Sequence, residues 1–205
     1  MTDLNKALAD IADMRGQMAR GVIFRGYGPE ALAATGALAG LAALAQDRWI
    51  ADPILEIAAW LSLWAATAGL AVLIIGWKAI RRAREAHQRL ASDMLKTAIA
   101  QFLPAGIAGV LTALVLRGYA PETLWMLPGL WQILLSLGIS AACPSLPKPM
   151  IAVALWYLTT GLLCLAWARE AHALSPLAMG VPFLAGQCLS AILLRHAYRR
   201  DHGEP

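Results

Sequence analysis

Residues 150–167 read MIAVALWYLTTGLLCLAW, eighteen positions without a charged side chain. Coiled as an α-helix, such a run rises about 27 Å, close to the ~30 Å hydrocarbon thickness of a bilayer. Five further stretches are likewise apolar and free of Lys and Arg, at roughly 30–46, 54–76, 98–116, 122–141 and 176–194. In lipid every backbone polar group must be bonded within its own segment, so helices are expected and open strands are not. The reading is an all-α membrane protein with six transmembrane helices. The stretch at 30–46, built around ALAATGALAGLAALA, is short and rich in Ala, and is the weakest span by hydropathy.

Whole-chain composition agrees. The 205 residues are 59% hydrophobic and 15% charged, against about 45–50% and ~25% in soluble domains. A soluble fold this apolar could not cover its surface with polar groups. The 17 Gly and 8 Trp fit helices packed in lipid and aromatic anchoring near the headgroups.

Basic residues orient the chain. Lys6, Arg15, Arg20 and Arg25 lie in the N-terminal arm, and Lys78, Arg81, Arg82, Arg84, Arg89 and Lys96 in the segment 77–97. Lys148 lies in the fourth connection, and Arg195, Arg199 and Arg200 in the tail. Only Arg48, Arg117 and Arg169 fall on the other side, so the positive-inside rule puts both termini in the cytoplasm. The opening MTDLNKALADIADMRGQMARG is interrupted by acids and is not expected to be a signal peptide. Its Leu4, Leu8, Ile11, Met14 and Met18 form one stripe of a cytoplasmic amphipathic helix over 1–22.

The opening stretch also belongs to a repeat. Leu155-Trp156, Thr159, Gly161-Leu162 and Leu165 match Leu63-Trp64, Thr67, Gly69-Leu70 and Leu73 at a shift of 92 residues. FRGYGPEAL from Phe24 matches LRGYAPETL from Leu116 at the same shift. AREAH occurs at 83–87 and again at 168–172. Residues 23–116, including the basic segment, therefore read as one three-span unit, and 117–195 as a second, followed by a cytoplasmic tail at 196–205. Three spans is an odd number, so the halves would enter the membrane from opposite faces. That inverted-topology pairing is found in many secondary transporters.

Each motif admits a plain reading and a functional one. In RGYxPE, Pro29 and Pro121 suit the first position of a helix, and Glu30 and Glu122 its positive end. Arg25 or Arg117 can pair with its local Glu, while Tyr27 and Tyr119 anchor at the interface. Functionally, the two motifs would be matched gates on opposite faces. Glu56 is the carboxylate set deepest in a span, about one turn from its end, where it can snorkel, pair with Arg48 or Arg117, or handle a proton or cation. Pro104, Pro128 and Pro182 stand near glycines inside apolar runs, with Gln101, Gln132 and Gln187 close by. Kinks and inter-helix hydrogen bonds are the plain explanation. A cavity-lining polar path of Glu56, Gln101, Gln132 and Gln187 is the functional one. Gly36 and Gly40 form a GxxxG pair that lets a helix approach, from this chain or from the second subunit of a homodimer.

His87 and His172 would lie on opposite faces and cannot share a metal or haem. Cys143, Cys164 and Cys188 have no CxxC spacing and read as small buried hydrophobes. No HExxH, GxSxG or P-loop is present. The basic segment lacks interleaved aromatics, which argues against nucleic acid. No catalytic residue, cofactor or metal is expected, and the chain reads as non-enzymatic.

FRGYGPEALAATGALAGLAA, LPGLWQILLSLGI and LSPLAMGVPFLAGQCLSAILL resemble an uncharacterised family of small bacterial six-span integral membrane proteins. The resemblance rests on Leu127 to Trp131 and on Leu174 to Gln187, and covers nearly the whole chain. It implies the cytoplasmic membrane of a bacterium and brings no activity with it. Two functions follow as expectations: a transporter or channel for a small solute, or a sensor or scaffold that contacts a cytoplasmic regulatory protein.

Overall fold

The computed structural model describes residues 28–85, 89–143, 146–168 and 172–201. The expected amphipathic helix over 1–22, Arg25, Tyr27 and His87 lie outside the described residues. Six α-helices carry the fold: α1 (Pro29–Trp49), α2 (Ile57–Glu85), α3 (Arg89–Tyr119), α4 (Leu127–Ala142), α5 (Ile151–Trp167) and α6 (Pro176–Asp201). Short 3-10 helices at Pro121–Met126 and Lys148–Met150 lead into α4 and α5. Among the described residues there is no strand.

Five segments are long and apolar enough to cross a bilayer: Ile57–Arg81, Ala100–Tyr119, Pro121–Ala142, Lys148–Trp167 and Pro176–Ala197. These make the chain a multi-pass membrane protein. The sixth expected span forms a helix too, but α1 falls outside that set. Its 21 residues rise about 31 Å, so length is not what it lacks. Alanine methyls simply offer less apolar surface than the Leu- and Val-rich runs elsewhere.

What α1 lacks in hydropathy it makes up in close packing. Ala31, Thr35, Ala39, Ala42 and Gln46 recur every three or four residues and form its buried face. That face lies along α6, the most extensive helix pairing in the protein. A methyl group added at Gly36 would come within 2.9 Å of the Gln187 Cβ and 3.2 Å of the Leu184 carbonyl oxygen. Only a glycine lets the two backbones come this close. The GxxxG pair therefore serves a helix of the same chain. A second close crossing joins α4 and α5, where a Cβ on Gly129 or Gly161 would stand 2.8 Å from the other's carbonyl oxygen. Around these pairs, α2 packs on α1 and α3 packs on α4, while α2 and α3 barely touch. The apolar faces of α2 and α3 (Val72, Leu73, Val110, Leu114) are exposed, as expected of surface solvated by acyl chains.

Aromatic residues divide into two classes. Trp49 and Trp167 are exposed at helix ends and Trp77 near the end of the apolar segment of α2, as interface anchors are. Trp60 and Trp64 are instead buried. Trp60 stacks on Trp131 with ring centroids 5.6 Å apart, joining α2 to α4. Composition suggested aromatic anchoring near the headgroups; the Trp60–Trp131 stack shows that indoles also join helices inside the bundle.

Candidate functional site

The buried polar groups lie at three levels along the bundle. At the end where α1 stops, Trp64 Nε1 donates to Gln46 Oε1 at 2.8 Å, and Gln46 Nε2 donates to the Leu174 carbonyl at 2.7 Å. Gln46 is fully buried, so this closed relay ties α1, α2 and the approach to α6 together. Leu174 has φ 55°, a conformation costly for a branched residue. Complete burial and the Gln46 bond hold it there.

One level deeper sits Gln132 of α4, also fully buried. Its Nε2 donates to the Ala178 carbonyl at 2.8 Å and to the Pro128 carbonyl at 3.1 Å. The Ala178 bond follows from the sequence of α6. Pro182 has no N–H, so the carbonyl four residues earlier, that of Ala178, has no helical donor. Gln132 supplies one from the neighbouring helix.

The third level is midway through the bundle. Tyr157 is the tenth of twenty residues in its apolar segment, and Gln187 the twelfth of twenty-two. A Cβ at Gly186 would lie 2.5 Å from the Tyr157 hydroxyl, so the phenol of α5 rests directly on the backbone of α6. Phe183, one turn earlier, packs on the same ring at 5.4 Å. Gly36 of α1 meets α6 at the adjoining Gln187. Helices α1 and α5 thus both meet α6 at residues 183–187. Here the buried Tyr157 hydroxyl and the Gln187 side chain lie within reach of each other, yet neither the hydroxyl nor the Gln187 Oε1 completes a hydrogen bond of good geometry. Buried polar groups left incompletely bonded are rare in native proteins and costly in a dry interior.

The four residues of the expected polar path do not converge. Glu56 is exposed and precedes α2; its carbonyl accepts the N–H groups of Ala59 and Trp60, and the Asp52 N–H donates to its Oε1 at 3.5 Å. The span begins after it because Asp52 Oδ1 accepts the N–H groups of Ile54 and Leu55 and closes a turn first. Gln101 is half-buried near the start of the apolar part of α3, with its own Oε1 unpartnered. Gln132 reaches α6 at Ala178, nine residues and about 14 Å before Gln187.

Of the repeat motifs, Pro29 opens α1 with Glu30 in its first turn, and Pro121 opens the 3-10 helix with Glu122 in its first turn. Glu30 pairs with Lys78 of α2 at 3.2 Å. Arg117 and Tyr119 are exposed at the end of α3, and Arg117 makes no ion pair with Glu122. His172 is exposed. Among the described residues no three His, Cys, Asp or Glu side chains come together as a metal site would need. All three cysteines are free, and burial raises the Cys143 thiol above its ordinary pKa.

Sequence reasoning missed Tyr157, Gln46 and the inward tryptophans. A tyrosine at the centre of an eighteen-residue apolar run was the available signal, since its hydroxyl cannot reach the interface from there. Comparison with protein-family models, with curated proteins and with solved structures finds no match for this chain.

Proposed function

We propose that this chain is a non-enzymatic transporter or channel for a small uncharged polar solute, residing in the cytoplasmic membrane of a bacterium. The observation that carries the reading is the buried pair of the Tyr157 hydroxyl and the Gln187 Oε1 at mid-membrane depth, close to each other without a well-formed hydrogen bond. A polar group held there in that state is a functional candidate by default. The pair offers a donor and acceptors without formal charge, which suits a hydrogen-bonding solute such as urea or glycerol. Packing supports the two-half architecture. In the first half α1 lies against α2 and α6; in the second, α4 lies against α5 and α3. Exchanging the halves turns one set of partners into the other, as two inverted three-helix repeats would require. Tyr157 is wholly buried, so the conformation described is closed at this level.

Stopped-flow light scattering on proteoliposomes tests the reading with urea, glycerol and formamide. At least one of them is expected to cross faster than through protein-free vesicles, with Tyr157→Phe and Gln187→Leu each slowing it while helicity is retained. Permeabilities equal to those of empty vesicles for the whole panel would end the proposal.

A second reading has its own support. The helical backbone of α3 begins at Arg89, eleven residues before its apolar segment, an extension of about 16 Å. Together with the sequence's basic segment 77–97, this extension would offer a contact for a cytoplasmic regulatory protein, as a sensor or scaffold needs. Mild crosslinking in intact cells, followed by capture of the tagged chain, distinguishes this role. A homodimer would form across α2 and α3, where Gly69, Gly76 and Gly106 have no atom within 4 Å of an added Cβ.

A further inference from the structure

A cavity of about 400 Å³ opens where the turn before α2, the 3-10 helix and the bend before α6 meet. Its volume lies in the range of small-molecule sites. Ile54, Ile57, Leu124 and Leu174 supply apolar walls, Trp125 an aromatic one, and Glu122 is the charged member of the lining. The walls are fixed independently of any ligand. Leu174 is fully buried and held by the Gln46 bond, and the Asp52 turn sets Ile54 in place. Charge at this end of the bundle favours cations. Among the described residues it carries Asp47, Asp52, Glu56 and Glu122 against Arg48 and Arg117, beside His172.

We propose that this cavity binds a monovalent organic cation with an apolar body. The ammonium group would face the Glu122 carboxylate, and the apolar portion would lie on Trp125 and the aliphatic walls. An ammonium beside a carboxylate gains Coulomb attraction, while an uncharged molecule of the same shape gains only burial. The proposal stands apart from the mid-membrane transport site, and either can fail alone.

The test uses the full chain in nanodiscs, titrated with benzyltrimethylammonium and with its uncharged carbon isostere neopentylbenzene, each against protein-free discs. Isothermal titration calorimetry is expected to show saturable binding of the cation, tighter than the isostere by about two- to fivefold. E122Q is expected to erase that preference, and A173W to block both ligands by filling the cavity. Glu122 is exposed, so the substitution leaves packing untouched, and an unchanged circular-dichroism melt checks this. Rising ionic strength should weaken cation binding to the native chain and leave E122Q indifferent. Absence of saturable binding, equal affinity for the isostere, or an E122Q variant that still prefers the cation would overturn the proposal.

Discussion

Replacing Gln132 with Met keeps side-chain volume and removes both donors that reach carbonyl oxygens, one at 2.8 Å on Ala178 and one at 3.1 Å on Pro128. The two losses are unequal. Pro128 lies within α4, where the helical N–H of residue 132 still reaches its carbonyl. Ala178 has no such reserve, because Pro182 occupies the position whose N–H would serve it. A stranded buried acceptor costs about 1–3 kcal/mol, whereas inter-helix hydrogen bonds in membranes average about 0.6 kcal/mol. Met also relieves the orphaned Gln132 Oε1. The net expectation is a loss of about 1 kcal/mol, roughly fivefold in the unfolding equilibrium. Pro182→Ala restores the missing N–H, so Gln132→Met in that background should cost almost nothing. Unfolding in mixed dodecylmaltoside–dodecylsulfate micelles, followed by circular dichroism, measures all four corners of the cycle. A Gln132→Met cost that is the same with Pro or Ala at 182, within about 0.3 kcal/mol, would refute the carbonyl-rescue argument.

Other expectations follow from the same packing. Gly161→Ala sets a Cβ 2.8 Å from the Gly129 carbonyl oxygen and should destabilise by about 1–3 kcal/mol, while Gly69→Ala, with no atom within 4 Å, should cost nothing in the same micelle titration. Trp64→Phe strands the Gln46 Oε1 and should cost about 1–2 kcal/mol, whereas Gln46→Leu strands both the Trp64 Nε1 and the Leu174 carbonyl and should cost more, the double variant costing less than their sum. Lys78→Met breaks an exposed pair with Glu30 and should shift stability by less than about 0.5 kcal/mol at any salt concentration.

Much of the architecture was legible because lipid imposes simple requirements. Uncharged runs such as 150–167 announce helices whatever their neighbours, and Pro29 and Pro121 mark where two elements begin. Hydropathy was a poorer guide to α1, whose helix rests on Gly36 and small residues packed against α6 rather than on apolar area. The GxxxG pair showed that something approaches and could not show what. The link between Gln132 and Pro182 was partly readable, since a proline frees a known carbonyl, but three glutamines were available to serve it. Which one does so depends on helix order around the bundle, a long-range fact. The polar path failed to assemble for the same reason. Residues similar in chemistry were placed at different heights by the lengths of the runs before them. Trp60 and Trp131 carry no local mark of burial, because an indole suits an interface or a core equally well.

The proposed antiparallel relation of the two halves is tested most directly by labelling. In a variant lacking Cys143, Cys164 and Cys188, single cysteines replace Glu30 or Glu122, the two exposed carboxylates at the starts of the related motifs. A membrane-impermeant maleimide applied to intact cells should modify the cysteine at 122 at once and the cysteine at 30 only after the membrane is opened. Equal labelling of both positions from one side would contradict the account.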